Sequence, residues 1–350
     1  MVIIHLPNLE NAWPAWSIYL VLCAMKGLKR MLPNFLFIGA QKSGTSFIYK
    51  CTREHPDIFA LANEVRFFEN PEYLQTDFKQ FEALFDQVSH EKTVGIKRPD
   101  YLAKPECPER IYQHLPQAKL ILILRNPIQR ALSAYFHQIK LGFIPIKPAE
   151  EGMRKIIEGK YKDLYPKSNE IIEYGFYHRQ LTRYLNYFDR KQMCVILFEA
   201  VREDPLEAIK RIYSFIGVHD QYVPKSLKLK SEHNSGIYSL ARLRLLTLPN
   251  PLIYTYNDTR TKVTQKHSHP WSKTISKLVA ATDRRLLAPI YGNPKPQLSF
   301  KLTESLYRIY EDDINKLEIL LGQNLGKWKL HPLKPAEHKL PYQTMLTTVD

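Results

Sequence analysis

Short, uninterrupted apolar runs alternate along the chain with stretches whose apolar residues repeat at helical spacing. The runs without a helical period predict buried strands, and they lie at 35–38, 93–96, 119–124 and 192–198. The helical stretches start near Thr45 and continue at 75–88, 108–114, 127–141, 174–188, 205–216 and 300–321. Strands that alternate with helices favour a parallel sheet covered on both faces. The pattern therefore predicts an α/β domain of three layers, with a central parallel sheet flanked by helices.

Positive charge is concentrated in one part of this domain, which is expected to span 31–330 and to be followed by a tail at 331–350. The formal net charge is +15, and residues 225–301 hold fourteen Lys or Arg against three acids, a difference of 11. Prolines interrupt this basic segment, so short helical pieces are expected there. Such an excess favours a polyanionic partner, namely a nucleotide, an acidic sugar, a nucleic acid or a membrane surface. A solvated face without a specific partner is the alternative.

Two features bear on where the protein works. Four cysteines in 350 residues, none in a C-x-x-C pair, form neither a disulfide framework nor a zinc or redox motif, which favours a reducing, cytoplasmic setting. Residues 1–30 are expected to be a peripheral extension. Their apolar run, interrupted by Pro14, is shorter than the roughly 20 residues of a membrane helix, and it lacks the basic start of a signal peptide. Basic residues follow that run, so 12–30 allow membrane-surface attachment, and Met31 is an equally good start of the domain.

The first strand leads into a glycine loop and a helix start, with the sequence GAQKSGTS from Gly39 to Ser46. This arrangement aims backbone N–H groups and the positive end of a helix dipole at an anion. In the standard ATP or GTP loop, Lys directly follows the second glycine. Here Thr45 follows Gly44, the loop lysine is Lys42, and no residue is obviously placed for a metal. The loop therefore predicts a phosphate cradle of another kind, or else an ordinary turn with a solvated lysine.

A second anion-binding pattern follows the apolar run 119–124. Arg125 comes directly after it, and Asn126-Pro127 supply a cap and a first-turn proline for the next helix. Arg130 and Ser133 are one helical turn apart. We therefore expect both side chains to face the same ligand as Arg125.

These segments, taken in order, resemble the sulfotransferases that use 3′-phosphoadenosine 5′-phosphosulfate (PAPS). GAQKSGTS resembles their 5′-phosphosulfate loop, and LILRNPIQRALSAY resembles their 3′-phosphate motif. GFYHRQLTRYLNYF and YRIYEDDINKLEILLGQNLGKW are similar to segments of the bacterial and Golgi-type branch. The resemblance covers residues 34–330 and implies a P-loop-like fold.

The resemblance also implies which residues bind the donor nucleotide. Arg125 and Ser133 match the positions that hold the 3′-phosphate, for which a guanidinium is a bidentate partner. Lys295 aligns loosely with the second nucleotide-binding loop of the family. The residues that match the 5′-phosphosulfate loop are Lys42, Ser43, Gly44, Thr45 and Ser46.

Two further segments imply the catalytic residues. NEVRFF resembles the E-V-x-F-F segment of heparan-sulfate-type sulfotransferases, whose glutamate acts as the base, here Glu64. IKRPDYL falls where that branch has K-S-P-x-Y, so Lys97 matches its lysine, while Arg98 replaces a small hydroxyl residue. Lys42 is implied to stabilise charge on the leaving phosphate, and Lys97 to stabilise the transferring sulfonate or the leaving oxygen. The catalytic histidine of the cytosolic small-molecule branch is missing, which favours the carbohydrate branch. Glu64 as a plain surface carboxylate is the alternative.

The implied reaction is sulfuryl transfer from PAPS to a hydroxyl or amine of an acceptor, such as a carbohydrate, without a metal. A P-loop-type kinase is a rival, but the Walker lysine is absent and Arg125 stands where a kinase would have a metal-holding Asp. A basic nucleic-acid-binding protein is the other rival. It has no recognisable motif here, and the aromatic residues fit helix packing, so no nucleic-acid partner is expected.

Overall fold

The fold is that of a computed structural model, which describes residues 31–228, 236–259, 261, 263–265 and 270–330. The predictions for the extension 1–30 and the tail 331–350 lie outside these residues. No helix within the described residues has the length and apolar character needed to cross a membrane.

Strands and helices alternate through the first two thirds of the chain, and helices dominate the rest. The strands are β1 (Phe35–Gly39), β2 (Ile58–Ala60), β3 (Thr93–Lys97), β4 (Lys119–Leu124), β5 (Met193–Leu197), β6 (Tyr254–Tyr256) and β7 (Val263–Gln265). The α-helices are α1 (Thr45–Thr52), α2 (Phe78–Glu82), α3 (Cys107–His114), α4 (Pro127–Lys140), α5 (Ala149–Ile157), α6 (Glu170–Glu173), α7 (Tyr177–Leu185), α8 (Phe198–Glu203), α9 (Pro205–Ile216), α10 (Lys225–Lys228), α11 (Leu240–Thr247), α12 (Asn250–Ile253), α13 (Pro270–Thr282), α14 (Ala288–Tyr291) and α15 (Phe300–Leu321). A π-helical turn, Asp283–Leu287, joins α13 to α14.

A parallel sheet with strand order β2-β3-β1-β4-β5 forms the centre of the fold. All residues of β1 and β3 are buried, as expected for strands covered on both faces. Each apolar run that predicted a strand lies in this sheet, so the predicted α/β class is confirmed. The order reverses at β1, and in open sheets of this kind ligands bind beyond the carboxyl ends of the strands at such a switch point.

The described residues form two compact units: 31–124 with 183–228, and 125–182 with those from 236 onward. In the first unit, one apolar cluster joins the sheet to the helices that follow β1 and β5. Phe37 of β1, Ile48 of α1 and Ile212 of α9 are fully buried members of it. This packing fixes the start of α1, and with it the glycine loop.

In the second unit, the long helix α15 packs its buried face against the middle of the chain. Tyr310 is fully buried and donates a hydrogen bond to the Ile172 carbonyl at 2.9 Å. Arg130 of α4 is fully buried as well, and its guanidinium donates to the carbonyl of Ile171. Its Nε and Nη1 atoms are buried without a hydrogen-bond partner among the described residues, so the expectation that Arg130 faces a ligand together with Arg125 stays a prediction. Nearly every residue of α4 from 127 to 139 is buried, so helical spacing alone did not identify a ligand face.

Two predicted helices start later than expected, and in each case an aspartate cap explains the shift. The helix predicted at 75–88 begins at Phe78, because Asp77 accepts a hydrogen bond from the Lys79 N–H at 2.9 Å. The helix predicted at 174–188 begins at Tyr177, where Asp313 accepts from the next two backbone N–H groups. The sequence analysis also missed β2 and the antiparallel β6–β7 pair, which have three residues each.

Candidate active site

The glycine loop between β1 and α1 has a conformation that most residues avoid. Lys42 and Gly44 both have positive φ, 67° and 82°. A Cβ on Gly44 would lie 2.9 Å from the Phe198 ring, so glycine is required both by the backbone and by this contact. Helix α1 then begins at Thr45 without a side-chain cap. The Phe47 N–H donates to the Gly44 carbonyl at 3.1 Å, and the N–H groups of Thr45 and Ser46 before it are the ones that the sequence predicts to bind an anion.

The loop residues also match the chemistry of an anionic group. The Ser43 side chain is fully buried, and its hydroxyl has no hydrogen-bond partner among the described residues. A buried hydroxyl without a partner is costly, which suggests a ligand that satisfies it. Together with Lys42 and the N–H groups at the start of α1, this hydroxyl forms a donor set that fits a phosphosulfate.

Lys97 connects the loop to the predicted base. Its ammonium group donates to Ser46 Oγ at 2.9 Å and lies 3.1 Å from Glu64 Oε1. The Lys97 side chain is only 8% exposed, whereas that of Glu64 is 34% exposed. The structure thus brings the predicted base, the predicted lysine and the predicted loop together in the first unit.

Backbone contacts place Glu64 beside the end of β3. The Val65 N–H donates to the Lys97 carbonyl at 3.2 Å, and the Tyr101 hydroxyl donates to the Val65 carbonyl at 2.5 Å. Val65 and Tyr101 are both buried. Glu64 is therefore held next to Lys97 by its neighbours in the chain, in addition to its own ion pairs.

Arg98 joins three carboxylates into one cluster. Its guanidinium lies 2.6 Å from an oxygen of each of Glu64, Glu69 and Asp100. Asp100 also accepts from the side-chain amide of Gln41 at 3.0 Å, so the cluster reaches the glycine loop. We refer to these residues, Gln41, Glu64, Glu69, Arg98 and Asp100, as the Arg98 cluster.

Burial shapes the electrostatics of this cluster. Burial alone would lower the pKa of the Arg98 guanidinium. The neighbouring carboxylates of Asp100, Glu69 and Glu64 have the larger effect, so the pKa is raised. Burial likewise raises the pKa of Glu69, with Arg98 acting in the opposite direction. One oxygen of Glu69, Oε2, is buried without a hydrogen-bond partner among the described residues. The cluster therefore depends on Arg98 as its central positive charge.

The predicted 3′-phosphate residues lie in the second unit. Arg125 follows the last residue of β4, and Asn126 caps α4 by accepting from the N–H groups of Ile128 and Gln129 at 3.0 and 3.1 Å. The buried Tyr177 donates its hydroxyl hydrogen bond to the Arg125 carbonyl at 2.9 Å. Ser133 lies on α4 and is 5% exposed. The backbone at Arg125 is thus fixed from both sides.

Lys295 lies apart from these elements in sequence. It is exposed and stands in an extended segment between α14 and α15, with a proline on either side. Its predicted role in nucleotide binding stays a prediction.

Sequence reasoning missed the partners that hold the predicted residues in place. Asp100 and Arg98 follow directly after β3, where polar residues of a parallel sheet gather, and this position was a usable signal. Tyr177 lies in the quoted GFYH segment. No local pattern pointed to Glu69 or Gln41, because their role appears only when the chain folds back on itself.

Comparison with known proteins distinguishes a sulfotransferase from a P-loop-type kinase and from a nucleic-acid-binding protein. The sulfotransferase domain family matches residues 32–235. The chain belongs to the sulfotransferase family. This confirms the resemblance found in the sequence, and sulfotransferases of this family generally use PAPS as donor.

The similar proteins agree with this assignment. The chain is 26% identical over 190 residues to human (Homo sapiens) heparan sulfate glucosamine 3-O-sulfotransferase 6, covering 54% of each. It is 28% identical over 209 residues to bifunctional heparan sulfate N-deacetylase/N-sulfotransferase 4 of Mus musculus, covering 55% of this chain and 23% of that one. The crystal structure of a sulfotransferase from Alicyclobacillus acidocaldarius matches with a TM-score of 0.59 and 25% identity, covering 85% of this chain and 99% of that one. The sulfotransferase thus spans about half the length of the first of these curated relatives.

Proposed function

We propose that this sulfotransferase moves a sulfuryl group from PAPS to a hydroxyl or amine of a carbohydrate acceptor. The observation that carries the proposal is the position of Lys97, within 2.9 Å of Ser46 in the loop and 3.1 Å of Glu64. One cation thereby links the group that would bind the donor to the group that would activate the acceptor. The names of the two curated relatives, one an O- and one an N-sulfotransferase of heparan sulfate, support a carbohydrate acceptor.

The donor-binding residues are proposed on the resemblance, and the geometry of the loop supports them. The N–H groups at the start of α1, the Ser43 hydroxyl and Lys42 would hold the 5′-phosphosulfate. Arg125 and Ser133 would hold the 3′-phosphate that distinguishes this nucleotide from ATP. Lys295 is the proposed contribution of the segment before α15.

The proton chemistry is assigned to Glu64. PAPS supplies the sulfuryl group and departs as the 3′,5′-bisphosphate PAP. Glu64 accepts the proton of the attacking hydroxyl or amine, and its partly exposed carboxylate leaves room for an acceptor. Lys97 lies where it can stabilise negative charge beside the loop, and Arg98 holds Glu64 against the other carboxylates of the cluster.

Calorimetry with PAP, ATP and a random oligonucleotide tests the donor part of the proposal. We expect PAP to bind far more tightly than ATP, and the oligonucleotide to bind weakly and non-specifically. Incubation with labelled PAPS and a panel of glycans, including heparan sulfate with and without N-sulfation, tests the acceptor part. PAP binding without transfer to any glycan would refute the carbohydrate acceptor while leaving the donor site intact. Preference for ATP would refute the function itself.

A further inference from the structure

A row of large apolar side chains lies exposed along the helical segment 270–291 of the second unit. This segment is continuous through α13, the π-helical turn and α14. The exposed fractions are 53% for Trp271, 65% for Leu278, 58% for Leu286 and 74% for Ile290. Single exposed apolar residues are common on protein surfaces, but four on one helical segment need an explanation.

These four residues form one line along the helix. Trp271 and Leu278 are seven residues apart, and Leu286 and Ile290 are four apart. At 3.6 residues per turn, both spacings return to about the same face of the helix. The middle interval is eight residues, but it runs into the π-helical turn Asp283–Leu287, whose larger number of residues per turn offsets the extra residue. The irregular turn therefore keeps Leu286 and Ile290 aligned with Trp271 and Leu278. We call this surface the apolar row.

A buried ion pair anchors the segment, which fixes the direction in which the apolar row points. Asp283 is buried and accepts two hydrogen bonds from the guanidinium of Arg242, each of 2.9 Å. Arg242 belongs to α11, which is packed against the π-helical turn. A bidentate pair of this kind holds the helix against rotation.

Positive charge accompanies the apolar row. Lys277, Arg284 and Arg285 are exposed on the same segment. Asp283 is the only acid between 270 and 300, and it is buried in its pair with Arg242. The exposed surface of the segment is thus apolar and basic, so a complementary partner is apolar and anionic. A second copy of this surface does not meet that requirement, because two basic faces repel each other.

We propose that the apolar row docks the protein on an anionic lipid surface. Helices that lie in a membrane interface combine tryptophan and leucine on one side with Lys and Arg beside them, as this segment does. The side chains of the apolar row would enter the interface, while Lys277, Arg284 and Arg285 contact the headgroups. This site involves none of the residues assigned to sulfuryl transfer and does not depend on that assignment.

Sedimentation of the full chain with vesicles tests the proposal. Vesicles of phosphatidylcholine alone are compared with equimolar phosphatidylcholine and phosphatidylserine. We expect binding to the second kind only. The double variant Leu278→Glu/Leu286→Glu should abolish it, and since both side chains are more than half exposed, the fold should remain. Ile319→Glu, at an 82% exposed position on α15, is the matched control and should bind like the wild type.

The basic residues are tested separately. Each Lys or Arg near an anionic surface is worth roughly a five-fold change in binding, so Arg284→Gln/Arg285→Gln should weaken it about 30-fold. Lys191→Gln/Arg202→Gln, at two exposed basic positions of the first unit, should have a much smaller effect.

Five outcomes would overturn the proposal. Absence of vesicle binding, or equal binding to both kinds of vesicle, contradicts an anionic lipid partner. Unchanged binding of Leu278→Glu/Leu286→Glu moves the attachment elsewhere, for example to residues 12–30. If the wild type binds heparin and this variant loses heparin binding as well as vesicle binding, the surface recognises polyanions in general and not lipid. A shift from dimer to monomer in the same variant would show that a second copy covers the apolar row.

Discussion

The Tyr177 hydroxyl donates a hydrogen bond of 2.9 Å to the carbonyl of Arg125, and the tyrosine is buried. Arg125 is therefore held by its backbone at the point where β4 ends and α4 is about to begin. Its side chain can then be used for a ligand, because the position of the main chain does not depend on it. Substitutions of Arg125 and of Tyr177 separate these two roles.

Arg125→Ala should weaken PAP binding about 10- to 150-fold, because a hydrogen bond to a charged group contributes about 1.5–3 kcal/mol. Binding of 5′-AMP, which lacks the 3′-phosphate, should hardly change. Tyr177→Phe removes only the support of the backbone, so we expect a smaller loss of PAP affinity in the same direction. Calorimetry measures all three, and equal losses for PAP and AMP would contradict the assignment of Arg125 to the 3′-phosphate.

Glu64→Gln should reduce turnover about 10²- to 10⁴-fold, since the amide keeps the shape of the side chain but cannot accept a proton. PAP affinity should stay within a factor of about two. Sulfate-transfer kinetics and PAP calorimetry on the same preparation test this. Turnover near that of the wild type would support the plain surface carboxylate, and a large fall in melting temperature would indicate a structural role.

Arg98→Ser introduces a small hydroxyl residue, as in the K-S-P-x-Y motif that this segment resembles. In this chain it should lower the free energy of unfolding by about 3–5 kcal/mol, because the buried carboxylates of Glu69 and Asp100 lose their positive partner. Adding Glu69→Gln should restore part of this stability, since it removes one of the charges left without a partner. Denaturant unfolding of both variants measures the difference. No rescue by Glu69→Gln would mean that the Arg98 cluster is not coupled as described.

His114 should make stability depend on pH near and below 6.5. Its ring stacks on Phe78 at 3.9 Å, and burial lowers its pKa from the ordinary value of 6.5. A neutral His114 is thus favoured by folding. Its contribution is complete above pH 6.5 and is lost as the pH falls through the lowered pKa. Melting temperatures of the wild type and of His114→Gln, measured from neutral to mildly acidic pH, should show a steeper decline in the wild type. Parallel curves would contradict this.

Sulfuryl transfer should persist in excess EDTA, because Lys42 and the N–H groups of α1 are assigned to the phosphosulfate in place of a metal. Among the described residues, no group of His, Cys, Asp or Glu is placed to hold a metal ion. Activity assays with EDTA, and with magnesium restored, decide the question. An absolute requirement for a divalent ion would contradict the proposed binding mode.

The parts of the site that follow from local rules were predictable from the sequence. The loop before α1 and the Asn126 cap before α4 each depend on a few neighbouring residues. The Arg98 cluster was not predictable, because Glu64 and Glu69 reach Arg98 only after β2 and β3 have paired. For Arg130, helical spacing assigned a face of α4 without indicating that this helix is buried on almost all sides.

Lys97 contacts both Ser46 in the glycine loop and Glu64, and this bears on the order in which donor and acceptor bind. An anion in the glycine loop attracts the same ammonium group that otherwise pairs with Glu64, so the two compete for one positive charge. Filling the loop first would draw Lys97 away from Glu64 Oε1 and leave the carboxylate paired with Arg98 through Oε2, just when an acceptor can use it. Binding of the donor would then free Glu64 from Lys97, and an acceptor that binds before the donor would not be activated. Product-inhibition kinetics would reveal such a compulsory sequence, with donor first and acceptor second, whereas a random sequence would mean that Lys97 serves both partners at once.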